Sequence, residues 1–536
     1  MHFTLATGVV LSVFLAQQHQ HGQGAEQLGT VKFETSCTAA AQAPFTRGLA
    51  LLHSFEFGPA IDSFTAAAAA DPGCAIANWG VALAHWGNPF APGIKPAKAI
   101  QAGNAAVAAA KKAGARTERE QAFIAAVANL YTDGETVNQR TRVLAYRDAM
   151  KQVAASYAND PEASAFYALA LASSQDPADM SYASLLEAGQ ILERLAPAQP
   201  DHPGLAHYII HSYDAPPLAA KALEAARRYA KIAPSAPHAL HMPSHTFTRL
   251  GYWKDSIDSN IASAAEAKRL KVAFEELHAM DYQMYAYLQL AQDASAKRLL
   301  DTLNASRERL DAPSIAGAAP PLAGAYATAA IPARFVLERR AWADAAALEV
   351  RPSPYGNAEG VTWFAKGIGS AKTKDVDGAR RAVAALDQIA AKLDQSGEKY
   401  WAEQVRIQQL GVRAWLALAE GKSDEALGVL REAADREDKT EKAPVTPGPI
   451  MPAREQLGQM LLELKQPEAA LAAFETTLKK EPNRFRALAG AMEAERQVKK
   501  AAAGSSRYAA MLAKLTANAD GPARPELAAL KTGGRE

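Results

Sequence analysis

The chain has 536 residues, a formal net charge of +1, 49% hydrophobic residues and two cysteines. That length exceeds what one compact core holds, so it implies several domains or an extended array. The near-neutral balance excludes the broad basic field of a nucleic-acid binder, and the apolar content excludes a chain that cannot fold.

At the N-terminus, LATGVVLSVFLA from Leu5 to Ala16 is apolar but too short to span a bilayer. The run fits the core of a signal peptide, although no Lys or Arg precedes it. Residues 1–25 are therefore read as a signal peptide and tail of an exported, periplasmic chain with an atypical n-region. A frayed apolar N-terminus is the alternative. No later stretch of the chain is apolar enough for a membrane span. Residues 17–36 are rich in Gln, His and Gly and read as disordered. His19 and His21 lie there. Cys37 and Cys74 flank the first predicted helical hairpin. In an exported chain their pairing would clip the N-terminal segment to the next helix; the alternative is two buried thiols.

Alanine is heavily used and period-two β-branched runs are absent, which predicts an all-α chain of closely packed helices. Over 41–74, Gly48, Ala60, Phe64, Ala67 and Pro72 take the Gly, Ala, Phe, Ala and Pro positions of a 34-residue helix–turn–helix repeat. Leu457, Gly458, Ala470, Phe474 and Pro482 do the same from Met451 onward. The chain thus resembles the tetratricopeptide repeat superfamily. That resemblance implies a helical-hairpin solenoid with a concave groove lined by the first helix of each hairpin. Two arrays are expected, 37–310 and 324–520, divided by the Pro/Ala/Gly segment 311–323. The charged, Pro-rich stretch 437–452 reads as a long loop over part of the groove.

Six of the twelve histidines fall between His202 and His245. His207 and His211 are four apart, as are His241 and His245, and the two pairs are offset by 34 residues. Spacing of four puts two rings on one helix face. Counting back from Pro234 places His207 and His211 at the fifth and ninth repeat positions, which face ligand in such domains. The four rings are therefore expected in the groove, with His53, His85 and His278 nearby. Neutral imidazole ligates copper, zinc or iron, so this set predicts a transition-metal site holding one ion or two. Asp214, Asp281 and Tyr282 are candidates to orient the ligands. Haem ranks below a simple ion. His202 precedes Pro203 and reads as a helix start. His238, in APHALHMP, is open to either role. Trp79, Trp86 and Tyr208 read as core, and Arg334 as half of a surface ion pair. The competing function is a scaffold that binds a protein or peptide in the groove without metal. Hydrolase, nucleotide-loop, zinc-protease and paired CxxC motifs are missing.

More narrowly, the chain is similar to a group of exported bacterial repeat proteins that share GLALLHSFEFGPAIDSF, HPGLAHYIIHSYD, HALHMPSHTFTRLGYW and LHAMDYQMYAYLQ. No activity is settled for that group, so the resemblance implies a fold and not a chemistry. Several members have an aromatic residue where Glu56 stands, so Glu56 carries little weight.

Overall fold

The computed structural model describes residues 26–310, 317–499 and 506–532, apart from 92, 135, 177 and 523. The expected signal segment at 1–25, with His19 and His21, lies outside the described residues, as do 311–316 of the expected boundary. Among the described residues every regular element is helical. Among the described residues, no helix is long and apolar enough to cross a membrane.

The helices follow one another as antiparallel hairpins. The first are Ala39–His53 with Phe57–Ala70, Ala75–Trp86 with Ala97–Ala113, Glu118–Ala128 with Gln139–Ser156, and Pro161–Ser173 with Ala183–Leu195. Pro203–Ser212 then pairs with Leu223–Ile232, and the broken helix Pro237–His241 and Pro243–Leu250 pairs with Trp253–Leu270. Ala273–Gln289 with Asp293–Ala305, and Pro321–Glu338 with Trp342–Ala347, lead into the C-terminal half. There Gly356–Lys372 pairs with Val376–Gln395, Lys399–Ala419 with Ser423–Glu437, and Ala453–Glu463 with Pro467–Lys480. Phe485–Lys499, Arg507–Leu515 and Pro525–Thr532 close the array. The chain is an all-α solenoid of stacked helical hairpins.

One local device makes most of these turns. A residue in the left-handed region ends the first helix, and the next N–H reaches back five residues to an orphan carbonyl. Phe55 (φ 58°) precedes Glu56 N–H to Leu51 O at 2.9 Å. Gly251 (φ 69°), Lys374 (φ 65°) and Lys465 (φ 60°) are followed by the same bond at 2.8, 2.8 and 2.9 Å. The cap closes the first hairpin and recurs from Gly251 to Lys465.

The apolar core forms two main blocks, one built from residues between Leu28 and Phe247 together with Ala318, and one from residues between Ala273 and Leu512. They divide near Trp253–Leu270, earlier than the 311–323 segment. Two features depart from expectation. Residues 26–36 are ordered, not disordered: Leu28, Val31 and Phe33 are buried, and Phe33 packs against Phe45, Trp79 and Phe123. Three buried apolar side chains seat this non-helical segment, together with bonds such as Thr30 N–H to Asp201 O at 2.9 Å. Cys37 and Cys74 form a disulfide that pins its end to the start of Ala75–Trp86.

The consensus Phe64 shows why small residues recur. A Cβ on Gly48 would meet its ring at 2.9 Å and one on Gly80 at 2.7 Å. Phe474 is clamped in the same way by Gly458 and Gly490, at 2.8 and 2.2 Å. Alanine is the better helix former, yet here it would overpack the seam. Gly80→Ala and Gly490→Ala should each lower stability by about 1–3 kcal/mol in chemical denaturation. A neutral or stabilising result would show that the aromatic seat is loose.

Candidate metal centre

Each histidine-bearing helix is placed by a nearby local signal. His202 caps Pro203–Ser212, its Nδ1 accepting the Leu205 N–H at 3.2 Å, with Pro203 in the first turn. That helix presents His207 and His211 one turn apart, ring centroids 4.8 Å from each other. The next histidine helix is not continuous. Pro243 has no N–H, so the bonding shifts: Met242 N–H reaches His238 O at 2.9 Å and His245 N–H reaches Met242 O at 3.1 Å. The break leaves His241 and His245 facing each other all the same. His278 comes from Ala273–Gln289.

Among the described residues, three groups bring ligand atoms within 4.8 Å of one another: His207, His211 and His238; His241, His245 and His278; and His53, Glu162 and His202. All are buried, the histidines at 0–5% exposure. The first two groups adjoin. Ring centroids of His211 and His245 lie 6.0 Å apart, as do those of His238 and His241. Six imidazoles thus make one wall.

Hydrogen-bond partners assign the ring protons and separate the three groups. In the third, His202 Nδ1 is an acceptor, so its Nε2–H donates to Glu162 Oε1 at 3.0 Å. His53 donates Nε2–H to Glu162 Oε2 at 3.0 Å and accepts the Tyr208 hydroxyl on Nδ1 at 2.9 Å. Every ring nitrogen there is engaged, and the group is a closed structural network. Gly204 permits it, because a Cβ there would stand 2.3 Å from His53 Nδ1.

The second group is the opposite. Asn260 donates Nδ2–H to Ser256 O at 2.7 Å, which turns its Oδ1 toward His241 Nδ1, also at 2.7 Å. His245 Nδ1 faces the Asp214 carboxylate at 2.9 Å. Both Nδ1 atoms must donate, so both Nε2 atoms carry bare lone pairs, and these face each other at 3.0 Å. His278 Nδ1 has no hydrogen-bond partner. In the first group His207 donates Nδ1–H to His53 O at 2.7 Å, and its Nε2 is unpartnered. So are His211 Nε2 and both ring nitrogens of His238. Buried polar atoms are rarely left this way, and acceptors behind the ring that aim the other nitrogen inward are the usual support of metal ligands.

Burial keeps these rings neutral. It pushes the pKa of His207, His211, His241 and His278 well below the ordinary value, with neighbouring imidazoles adding to the effect. His238 falls to about 3. Burial would raise Asp214, but Lys442 and Arg249 outweigh it and hold that carboxylate well down. Glu56, buried beside Glu275, rises to about 8 and accepts the His238 N–H at 3.2 Å.

The seven expected ligands do not form one site. His207, His211, His241, His245 and His278 share the wall, split between two triads; His53 joins the Glu162 network. His85 is only half-buried and belongs to none of the three groups. Asp214 faces His245 Nδ1 at 2.9 Å. Asp281 instead accepts Arg334 Nε at 2.8 Å, and burial raises its pKa despite that partner. The Tyr282 hydroxyl stands 3.4 Å from His245 Nε2 and 3.2 Å from Pro444 O. Arg334, expected at the surface, is fully buried and binds Thr446, Gly448 and Pro449 of the long loop. The rings are enclosed rather than lining an open groove. Phe90 stacks on His211 at 4.0 Å, Phe55 abuts His207 at 4.3 Å, and the 437–452 loop covers the other side. Sequence reasoning passed over Asn260 and Glu162 and left His238 open. For His238 a signal existed, because 238, 241 and 245 are spaced three and four on one helical face.

No family model matches this chain, and no curated protein matches it. Among solved structures it is similar to yeast Tom70, with 11% identity over 86% of this chain and 96% of that one, at a TM-score of 0.33. It is also similar to the P58(IPK) TPR domain, at 14% identity over 86% and 99% of the chains with a TM-score of 0.21. A third similarity is to Naa15/Naa10 bound to HypK-THB, at 12% over 92% and 73% with a TM-score of 0.24. At these values the assignment of repeats rests on the chain's own caps and hairpins.

The neutral buried rings have a consequence for the metal-free chain. Unfolded, each takes up a proton near pH 6.5; folded, His238 does so only near pH 3. Between those limits the unfolded state binds more protons, so stability is lost as pH falls. Raised carboxylates such as Glu56 act in the opposite sense, so the difference between two proteins is the clean measure. From about pH 7.5 to 5.5 the parent should lose more stability than His238→Asn. Parallel pH profiles would mean that His238 is protonated in the fold.

Proposed function

We propose that this protein binds transition-metal ions at two three-histidine centres, one on His207, His211 and His238 and one on His241, His245 and His278. The observation that carries the reading is the set of ring nitrogens left without a hydrogen-bond partner in a buried wall, on His207, His211, His238 and His278. Three neutral imidazoles suit copper, zinc or iron. Three protein ligands also leave a coordination position open, the arrangement used by metal sites that activate water or carry redox chemistry. The cysteines are joined, so no thiolate competes for the ion. Tyr282 stands beside His245 and is placed to hydrogen-bond a group at the second centre. That disulfide also supports an exported, periplasmic protein. A helical-repeat scaffold remains the alternative, but the histidine wall is closed by Phe55, Phe90 and the long loop. A peptide partner would have to use another surface.

Elemental mass spectrometry on untagged protein, reconstituted and then desalted, should find close to two equivalents of one transition metal. His238→Ala and His278→Ala should each drop this by one equivalent with helix content kept. His53→Ala and His85→Ala should leave it unchanged. Less than about a tenth of an equivalent after reconstitution would end the reading. Asp214→Asn, which keeps the hydrogen bond and removes the charge, should weaken binding at the second centre by about 10–100-fold in a chelator competition. Equal affinity would show that Asp214 serves only the loop.

A further inference from the structure

The 437–452 loop borders a cavity with about 50 Å³ of free space. Arg249, Asn357, Trp401, Gln408 and Lys442 contribute to its lining. Each has a buried polar atom without a hydrogen-bond partner: Arg249 Nη1, Asn357 Nδ2, Trp401 Nε1, Gln408 Oε1 and Lys442 Nζ. The Arg249 and Lys442 side chains are 3% and 5% exposed. Four of the five atoms are donors, and two of those are cationic.

The other charged groups in the lining are already engaged. Lys480 donates to the carbonyls of Glu437 and Thr440 at 3.1 and 2.9 Å. Glu437 accepts the Ala453 N–H at 2.7 Å, and Glu481 accepts the Tyr285 hydroxyl at 3.3 Å. Among the lining atoms named as partnerless, donors therefore outnumber acceptors four to one. A carboxylate meets that need, because its two oxygens accept about four hydrogen bonds and draw extra strength from charged donors. A neutral amide of the same shape brings two hydrogens of its own into a place that already has too many.

We infer that this cavity is a binding site for the acid group of a small carboxylate, held by Lys442 and Arg249 with Trp401 and Asn357 as neutral donors. Its free space of about 50 Å³ fits an acid of two or three carbons or the end of a longer one. Water alone would also fill the space, and the experiment separates the two. The inference does not depend on a metal. The two sites touch, however, because Arg249 and Lys442 also face Asp214, at 2.8 and 3.6 Å, and Asp214 holds His245.

The test is isothermal titration of the full chain with acetate and glycolate, and with acetamide and glycolamide as matched neutral probes. Metal is first stripped with phenanthroline, since carboxylate chelators would compete. The acids should bind saturably at one equivalent, and the amides at least about tenfold more weakly. Lys442→Met and Trp401→Phe should each weaken acid binding; the Trp401 variant keeps an aromatic ring and removes no charge, so it serves even if the Lys442 variant misfolds. No saturable acid binding, amides that bind as well as acids, or a Trp401→Phe protein that binds like the parent would overturn the site. Acid binding in a chain that takes up no metal refutes only the metal reading. Metal uptake in a chain that ignores both acids refutes only this one.

Discussion

Everything around the histidine wall depends on what stands behind each ring. His53 O, Asn260 Oδ1 and the Asp214 carboxylate are acceptors, and each takes an Nδ1–H. An imidazole with its proton fixed on one nitrogen has a lone pair on the other, so three inward lone pairs are dictated from outside the wall. Burial then forbids the simple remedy of a second proton, because a cationic imidazole in that setting loses its hydration and meets its neighbours' charge. A buried Nε2–Nε2 approach of 3.0 Å with no hydrogen between is repulsive until a cation shares it. The Glu162 network provides an internal contrast: the same residue type, equally buried, with a carboxylate that satisfies both rings.

The solenoid supplies the rigidity this needs. The wall draws its six rings from three successive hairpins, so its geometry is a property of hairpin stacking and not of one loop. Phe55 illustrates the coupling. Its left-handed conformation ends the first helix of the array, and the same turn swings its ring against His207, His211 and His238. A non-glycine residue in that conformation is held there at a small cost by the cap bond that follows it. The C-terminal half completes the enclosure although it contains no histidine. Loop residues Glu441, Lys442, Pro444 and Thr446 meet Arg249, Asp214 and Tyr282.

Much of the fold was legible because its signals are local. Gly48, Phe64 and Pro72 mark a hairpin wherever they occur in register, and Phe474 repeats the pattern near the other end. The paired histidines were legible for the same reason, as a helical spacing carried across one repeat period. Their division was not. Repeat symmetry suggests that His207, His211, His241 and His245 meet as four. The break at Pro243 leaves the short turn Pro237–His241, and this turns His238 back toward the first pair while His241 stays with the second. Asn260 and Glu162 were invisible for a different reason. Each is an ordinary residue in its own helix, and its role exists only through a partner 19 or 109 positions away. The buried tail at 26–36 was missed because composition averages over a window, whereas Phe33 needs only one aromatic slot.

Asp214 is where these threads join. One oxygen holds the His245 Nδ1–H, the other receives Arg249, and Lys442 stands near the first. Three positive or proton-bearing groups therefore share one carboxylate. Any change that draws Lys442 or Arg249 away increases the charge Asp214 presents to His245 and makes that imidazole a stronger donor through Nε2. The converse holds as well, since binding free energies that are linked through one group are linked in both directions. A chain of repeats has no need of such a junction to stand. Asp214 lies between the histidine wall and a cavity lined by partnerless donors.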